Sequence, residues 1–119
     1  MVLVDTSVWI DHFRKGNATL RARLLASEIM THEHVIGELA CGNLRRRTET
    51  LGWLELLPRA PVAEAGEVLL LIDQEGLAGK ALGWNDAHLL ASARLSGWPL
   101  WTLDRRLRAV AARLRVGIG

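Results

Sequence analysis

The sequence lacks the features that mark membrane, secreted and disulfide-bonded proteins. Its longest stretch without Asp, Glu, Lys or Arg is nine residues, 95–103, whereas a membrane-spanning helix needs about 20 apolar residues. The first charged side chain is Asp5, which comes too early for a secretory signal. The single cysteine, Cys41, excludes an internal disulfide and a cysteine-based zinc cluster. We therefore expect a cytoplasmic protein with no segment that crosses a membrane.

Proline, phenylalanine and tyrosine are also rare or absent, and the net charge is small. Three prolines, one phenylalanine and no tyrosine occur among 119 residues, of which half are hydrophobic and 24% are charged. This composition is that of a globular protein, and the length predicts a single domain over residues 1–119. The net charge is only +2, although all but two of the 15 basic residues are arginines. Such a small excess does not by itself indicate a nucleic-acid-binding protein.

Short apolar segments alternate with helical patterns along the chain. Strands are predicted at residues 2–4, 28–31, 100–103 and 116–118, and helices at 8–14, 17–27, 33–42, 44–57, 61–75, 86–96 and 104–115. The helix at 86–96 is apolar around most of its circumference, which is typical of a buried helix. Strands joined by helical crossovers form parallel sheets that are covered on both faces. We therefore predict an α/β fold, a three-layer α/β/α domain with a small, mostly parallel central sheet.

Four acidic side chains occupy positions at which a simple surface role is a weak explanation. Asp5 and Asp104 directly follow predicted strands, so both would lie at the carboxyl edge of a parallel sheet, where open α/β folds bind ligands. Asp86 starts the most buried helix, and Glu38 borders the apolar stripe of its own helix. Acidic residues are rarely fully buried without a partner. The four side chains are therefore candidates for one acidic site.

Helix capping is the competing explanation for three of these acids. Asp5, Asp86 and Asp104 each precede or begin a predicted helix, and Asp is a preferred N-cap residue. Glu38 lies inside a helix and is not explained in this way. If the four carboxylates converge, their mutual repulsion favours a bound divalent cation, and oxygen ligands suit Mg²⁺ or Mn²⁺. Such a cation can activate water for the hydrolysis of a phosphodiester.

Four segments around these acids carry a recognisable pattern: VDTSVWID at 4–11, VIGELACG at 35–42, NDAHLLASA at 85–93 and LWTLDRRL at 100–107. In this order and spacing, the sequence resembles the PIN-domain ribonucleases, specifically the VapC-type toxins of toxin–antitoxin pairs. The resemblance spans nearly the whole chain. No single segment is decisive, but four segments in order make a specific signal.

The resemblance implies a metal-dependent endoribonuclease that cuts structured RNA, such as tRNA or rRNA loops, at a single-stranded site. It implies that the acidic catalytic site consists of Asp5, Glu38, Asp86 and Asp104. Within this set, Asp5 and Asp86 would be the most direct ligands of Mg²⁺, for which Mn²⁺ is a substitute. The residues implied to orient the carboxylates or the substrate are Thr6, Ser7 and Thr102. The resemblance also implies a cognate antitoxin and a homodimer.

Three other functions remain open on the sequence. A PIN-like module without catalysis would bind RNA or protein, although its expected signature is the loss of an acid, and all four are present. A phosphatase or phosphoacceptor domain built on Asp5 fits poorly, because position 7 is Ser7 and not an acid. A metal-independent ribonuclease would use two histidines, such as His12 and His88, as acid and base.

Tryptophan is the one abundant aromatic residue. Unpaired RNA bases can stack on such side chains, but packing in the core or in a dimer interface is the prediction for most of them. Trp84 is the exception, because it lies only two residues before Asp86. The five tryptophans are Trp9, Trp53, Trp84, Trp98 and Trp101.

Overall fold

A three-stranded parallel sheet forms the centre of the molecule in the computed structural model, which describes residues 1–118. The strands are β1 (Val2–Val4), β2 (Ile29–Met30) and β3 (Leu100–Trp101), and they lie in the order β2-β1-β3. Both pairings are parallel, as the sequence predicted. The carboxyl ends of all three strands therefore lie at one edge of the sheet.

The central strand β1 is buried on both of its faces. Leu3 pairs with Met30 on one side and with Leu100 on the other. Every residue of β1 is buried, and successive side chains of a strand point to opposite faces of the sheet. Helices must therefore cover both faces, which gives the predicted three-layer α/β/α arrangement.

Seven helices connect and cover these strands within residues 1–118. None of them is long and apolar enough to span a membrane. Their bounds are α1 Thr6–Lys15, α2 Ala18–Leu25, α3 Glu33–Ala40, α4 Arg47–Glu55, α5 Ala65–Gln74, α6 Trp84–Ser96 and α7 Arg105–Arg113.

Helix α6 is the apolar helix of the sequence, and it is buried as predicted. Residues 87–93 are all buried. The helix ends at Gly97, whose φ of 72° is a left-handed conformation that glycine adopts without strain. Only three residues separate the helix from the start of β3. Helix α6 therefore runs against the strand direction, and its N-terminus lies at the carboxyl edge of the sheet.

Several predicted boundaries were wrong, each for a local reason. Helix α5 does not begin at Pro61, because the backbone of Glu64 donates a hydrogen bond to the Glu67 side chain (3.1 Å) and caps the helix there. Helix α4 begins late, after Arg46, whose φ of 49° is left-handed. The predicted strand at 100–103 ends at residue 101. The predicted strand at 116–118 is reduced to one bridge between Gly117 and Leu100.

Candidate active site

The four predicted acids lie at the carboxyl edge of the sheet, and Glu38 reaches it from a different helix than the others. Asp5 immediately follows β1, and Asp104 lies three residues beyond the end of β3. Asp86 lies in the first turn of α6, whose N-terminus is at the same edge. Glu38 reaches this edge from α3, because its Oε1 accepts a hydrogen bond from the Thr6 hydroxyl (2.9 Å). The fold therefore brings the four acids to one region.

Asp5 is the buried member of the set, with an exposed fraction of 5%. Its Oδ2 accepts hydrogen bonds from Ser7 Oγ and from Thr102 Oγ1, each at 2.7 Å. The Ser7 backbone N–H also points to this oxygen at 3.4 Å, which makes Asp5 the N-cap of α1. Its Oδ1 accepts no hydrogen bond from residues 1–118. One carboxylate oxygen is thus fixed, while the other remains available to a ligand.

The two hydroxyls that hold Asp5 are themselves oriented by backbone groups. Leu103 N–H donates to Ser7 Oγ, and Asp104 N–H donates to Thr102 Oγ1, both at 3.0 Å. An ionised carboxylate can only accept hydrogen bonds. Each hydroxyl therefore accepts from the backbone and donates its proton to Asp5. We call Asp5, Ser7 and Thr102, with these two backbone groups, the hydroxyl network.

Asp86 has a role that the sequence did not predict in full. It is the third residue of α6 and not its N-cap, because the helix begins at Trp84. Its Oδ2 accepts a hydrogen bond from the Gly83 backbone N–H (2.9 Å), which closes the first turn. The side chain is half-buried. Capping explains where one of its oxygens lies, and it does not explain why the residue lies among other acids.

The pKa of Asp86 is raised by burial and by the charges of the other three acids. Burial is the largest effect and raises the pKa of this carboxyl, whereas the Gly83 N–H lowers it. The charges of Asp5, Asp104 and Glu38 then raise the pKa further, in that order. A nearby divalent cation would reverse this penalty, because it favours the ionised form.

Asp104 is a helix cap as well as a member of the acidic group. Its Oδ1 accepts from the backbone N–H groups of Arg106 (2.9 Å) and Leu107 (3.0 Å) at the start of α7. The side chain is exposed. The capping interpretation is therefore correct for Asp5 and Asp104, yet both also face the site.

The oxygen donors at the edge are of the kind that a hard divalent cation requires. Within residues 1–118, however, no three His, Cys, Asp or Glu side chains are already gathered around one point. The charges of Asp5, Glu38 and Asp104 are close enough to raise the pKa of Asp86, but the four carboxylates do not form a closed cage. A divalent cation bound here would therefore keep several waters among its ligands.

A group of histidines lies beside the acids and was not predicted as a group. His32 is fully buried, and its Nδ1 accepts from the His34 backbone N–H (2.9 Å). Its Nε2 therefore carries the proton and donates to Ser92 Oγ (2.9 Å). Burial, with smaller effects from His34 and His88, lowers the pKa of His32 to about 4. This histidine is neutral and structural at physiological pH.

The two histidines proposed for metal-independent chemistry lie in different surroundings. His12 accepts a hydrogen bond from the Asn17 backbone at the turn between α1 and α2 (3.1 Å). His88 is buried between α6 and α3, where burial and then His34 lower its pKa. His34 in turn contacts Asn85, with Nδ1 and Oδ1 3.0 Å apart. The contact between His34 and Asn85 could not be predicted from sequence spacing, because the two residues belong to different helices.

The PIN domain profile matches residues 2–113 of this chain, and the chain belongs to that family. The fold and the acids at the sheet edge agree with this assignment. Ribonuclease VapC32 of Mycobacterium tuberculosis, from strains CDC 1551 / Oshkosh and ATCC 25618 / H37Rv, is 44% identical over 119 residues. The alignment covers 99% of this chain and 96% of that protein. The chain is thus a PIN domain of the VapC type.

A solved structure shows the same fold at lower sequence similarity. PAE2754 from Pyrobaculum aerophilum matches with a TM-score of 0.62 and 20% sequence identity. The match covers 96% of this chain and 88% of that one. At this identity the comparison supports the fold alone.

Asp86→Asn is expected to stabilise the protein in EDTA at neutral pH, by on the order of 1 kcal/mol or less because the site is partly solvated. The substitution removes a disfavoured charge, and the amide oxygen can still accept from Gly83. Because the folded-state pKa is raised, the folded protein takes up the proton as the pH falls, and the penalty disappears. The gain should therefore be largest near about pH 7 and shrink toward about pH 4. Urea unfolding at several pH values measures it.

The matched control is Asp73→Asn, which removes an exposed carboxylate on α5. This variant should change the free energy of unfolding by less than about 0.5 kcal/mol. An equal gain in both variants, or a loss of stability in Asp86→Asn, would contradict the clustering of the four carboxylates.

Proposed function

We propose that this protein is a metal-dependent endoribonuclease, the toxin of a toxin–antitoxin pair, that hydrolyses phosphodiester bonds in structured RNA. One observation carries the proposal. A buried carboxylate, Asp5, is held through one oxygen by two hydroxyls and leaves its other oxygen free among three further acids. Membership of the PIN family and the similarity to a protein named as a ribonuclease support the same chemistry.

Asp5 and Asp86 are the proposed ligands of Mg²⁺, with Mn²⁺ as a substitute. Both lie at the carboxyl edge, and both have an ionised form that a cation would stabilise. Glu38 and Asp104 would complete the acidic site by holding metal-bound waters. When bound, such a cation supplies a water of lowered pKa and neutralises the charge that develops on the phosphate.

The hydroxyl network is proposed to keep Asp5 in the orientation that binding requires. Ser7 and Thr102 use their protons on Oδ2, so the carboxylate cannot rotate without losing two hydrogen bonds. Outer groups of this kind typically contribute 10- to 100-fold to metal affinity or activity. Thr6 has the corresponding role at Glu38, since its hydroxyl donates to Oε1.

A single-stranded segment in a folded RNA, such as a tRNA or rRNA loop, is the proposed substrate. Unpaired bases are accessible in loops, whereas the grooves of an RNA duplex hide them. Arg105 and Arg106 are exposed and directly follow Asp104 in the chain, and we propose that they contact phosphates of the RNA. Such contacts would position the RNA and would not read its sequence.

The partners and the setting are proposed from membership of the VapC type. We expect a cognate antitoxin that inhibits the toxin, a homodimer, and a cytoplasmic location. We also propose that residues 1–119 act as one domain, since the sheet, the core and the acids all belong to one structural unit.

A catalytically silent PIN-like module that binds RNA or protein is the second candidate. The observation in its favour is that the acids in residues 1–118 are not gathered into a ready set of three ligands. Such a module would bind RNA equally well with and without metal, and it would leave the RNA intact.

Cleavage of a mixed tRNA and rRNA pool separates these possibilities. Discrete fragments with 5′-phosphate and 3′-hydroxyl ends are expected with Mg²⁺, because hydrolysis by water, with the 3′ oxygen as leaving group, would leave the phosphate on the 5′ end of the downstream fragment. No fragments are expected with EDTA, or with Asp86→Ala plus Mg²⁺. Fragments that persist in EDTA and end in a cyclic phosphate would exclude the carboxylate mechanism. Intact RNA in all conditions would favour the silent module.

Thr102→Val is expected to lower the cleavage rate about 10- to 100-fold. The change preserves the shape of the side chain but removes one of the two hydroxyl donors to Asp5. Single-turnover cleavage measures the effect, with circular dichroism as the check on folding.

Thr31→Val is the matched control for Thr102→Val. The Thr31 hydroxyl is fully buried and has no hydrogen-bond partner within the described part of the chain. Its removal should leave the cleavage rate unchanged. Equal rates for Thr102→Val and Thr31→Val would contradict a role for the hydroxyl network.

A further inference from the structure

Trp84 is an exposed indole at the start of the helix that carries Asp86. It is the first residue of α6, and 43% of its surface is exposed. Its ring meets that of His88 edge to face, with the centroids 4.8 Å apart and the planes at 86°. The other face of the indole is not needed for this contact. Trp84 therefore offers a flat apolar surface on the helix that carries Asp86.

The histidines beneath Trp84 hold it in place. His88 is 4% exposed, and its ring centroid lies 4.2 Å from that of His34. His34 is fixed by its contact with Asn85, the residue between Trp84 and Asp86. A side chain supported in this way loses little conformational entropy when a ligand packs against it. We call Trp84, His34 and His88 the aromatic cluster.

The aromatic cluster adjoins the acidic site along α3. On α6, Trp84 precedes Asp86 by two residues, so these two side chains leave the first turn in different directions. On α3, His34 precedes Glu38 by four residues, so the two side chains lie on one face of the helix. His34 contacts His88, and His88 contacts Trp84. A nucleic acid strand that leaves the acids along α3, past Glu38 and His34, would therefore reach the cluster.

Because the net charge is small and the site is acidic, RNA binding near the site would benefit from contacts that do not depend on charge. The net charge is only +2, and the acidic site repels the phosphates that it must approach. Stacking of a base on an aromatic ring does not depend on the phosphate charge, and it tolerates any base because every base has a π-face.

We propose that Trp84 is a stacking platform for an unpaired RNA base next to the phosphodiester at the acidic site. The proposal rests on the proposed function, since it assigns a positioning role for the same substrate. Stacking would fix the nucleotide beside the scissile bond without selecting its identity. Trp84 acts through the neighbouring base, so it is a positioning residue.

The test measures binding in EDTA, so that it does not depend on cleavage. The probe is a short, fluorescein-labelled single-stranded RNA, and anisotropy gives Kd. Trp84→Ala should weaken binding between about fivefold and a hundredfold, as for other stacked bases. Trp84→Phe should restore most of the affinity, because phenylalanine keeps a ring. The slope of log Kd against log salt should not change, since no phosphate contact is lost.

Trp98→Ala is the matched control. Trp98 follows the other end of α6 and is 42% exposed, so it equals Trp84 in residue type and accessibility. This variant should bind the RNA as the unmodified protein does.

An abasic scan of the same RNA identifies the stacked base. Removal of that base should weaken binding to the unmodified protein but not to Trp84→Ala, because the two changes remove one interaction. Additive losses at every position would overturn the proposal.

The outcomes for Trp84 and for the nuclease are separable. Normal RNA binding by Trp84→Ala overturns the platform, even if the protein cleaves RNA with Mg²⁺. A loss that Trp84→Phe does not rescue also overturns it, because the role would then be structural. If the protein cleaves nothing but binds RNA through Trp84, the platform stands and the nuclease does not.

Discussion

Repulsion among the carboxylates at one edge of the sheet explains how the side chains and backbone groups around that edge are arranged. Four acids in one region destabilise the folded chain unless something compensates them. Part of the compensation is local, because Asp5, Asp86 and Asp104 each accept backbone hydrogen bonds at the start of a helix. Burial raises the pKa of Asp86 most, and the charges of the other three acids raise it further. Repulsion of this kind lowers the stability of the metal-free protein and favours the binding of a cation.

Burial of the apolar core stabilises the folded protein and offsets the repulsion among the carboxylates at the sheet edge. The short strand Val2–Val4 is fully buried, and the buried stretch of α6 lies against the rest of the core. These two elements place Asp5 and Asp86 at their ends, where the backbone leaves the core and meets solvent. The hydroxyl network then joins the end of β1 to the segment after β3. Position at the edge is therefore set by burial, whereas orientation at the edge is set by hydrogen bonds.

The parallel arrangement of three strands and the buried helix could be predicted from the sequence, because each depends on local pattern. The ends of the strands could not, and the predicted strand at 116–118 is only one bridge. The resemblance to a known family also indicated Thr6, Ser7 and Thr102, which the structure places against Glu38 and Asp5. The direction of those hydrogen bonds could not be predicted, since it depends on the backbone N–H groups of residues 103 and 104. The aromatic cluster was missed for a similar reason: its members come from α3 and α6, and only tertiary packing brings them together.

The most direct test of this account is a crystal structure of the protein grown with Mn²⁺ and measured at the manganese absorption edge. The account predicts an anomalous peak at the carboxyl edge, with Mn²⁺ coordinated directly by Oδ1 of Asp5 and by the carboxylate of Asp86. The hydroxyls of Ser7 and Thr102 should remain on Oδ2 of Asp5. A peak beside the histidines alone, or a metal-saturated crystal with no peak near Asp5, would contradict it.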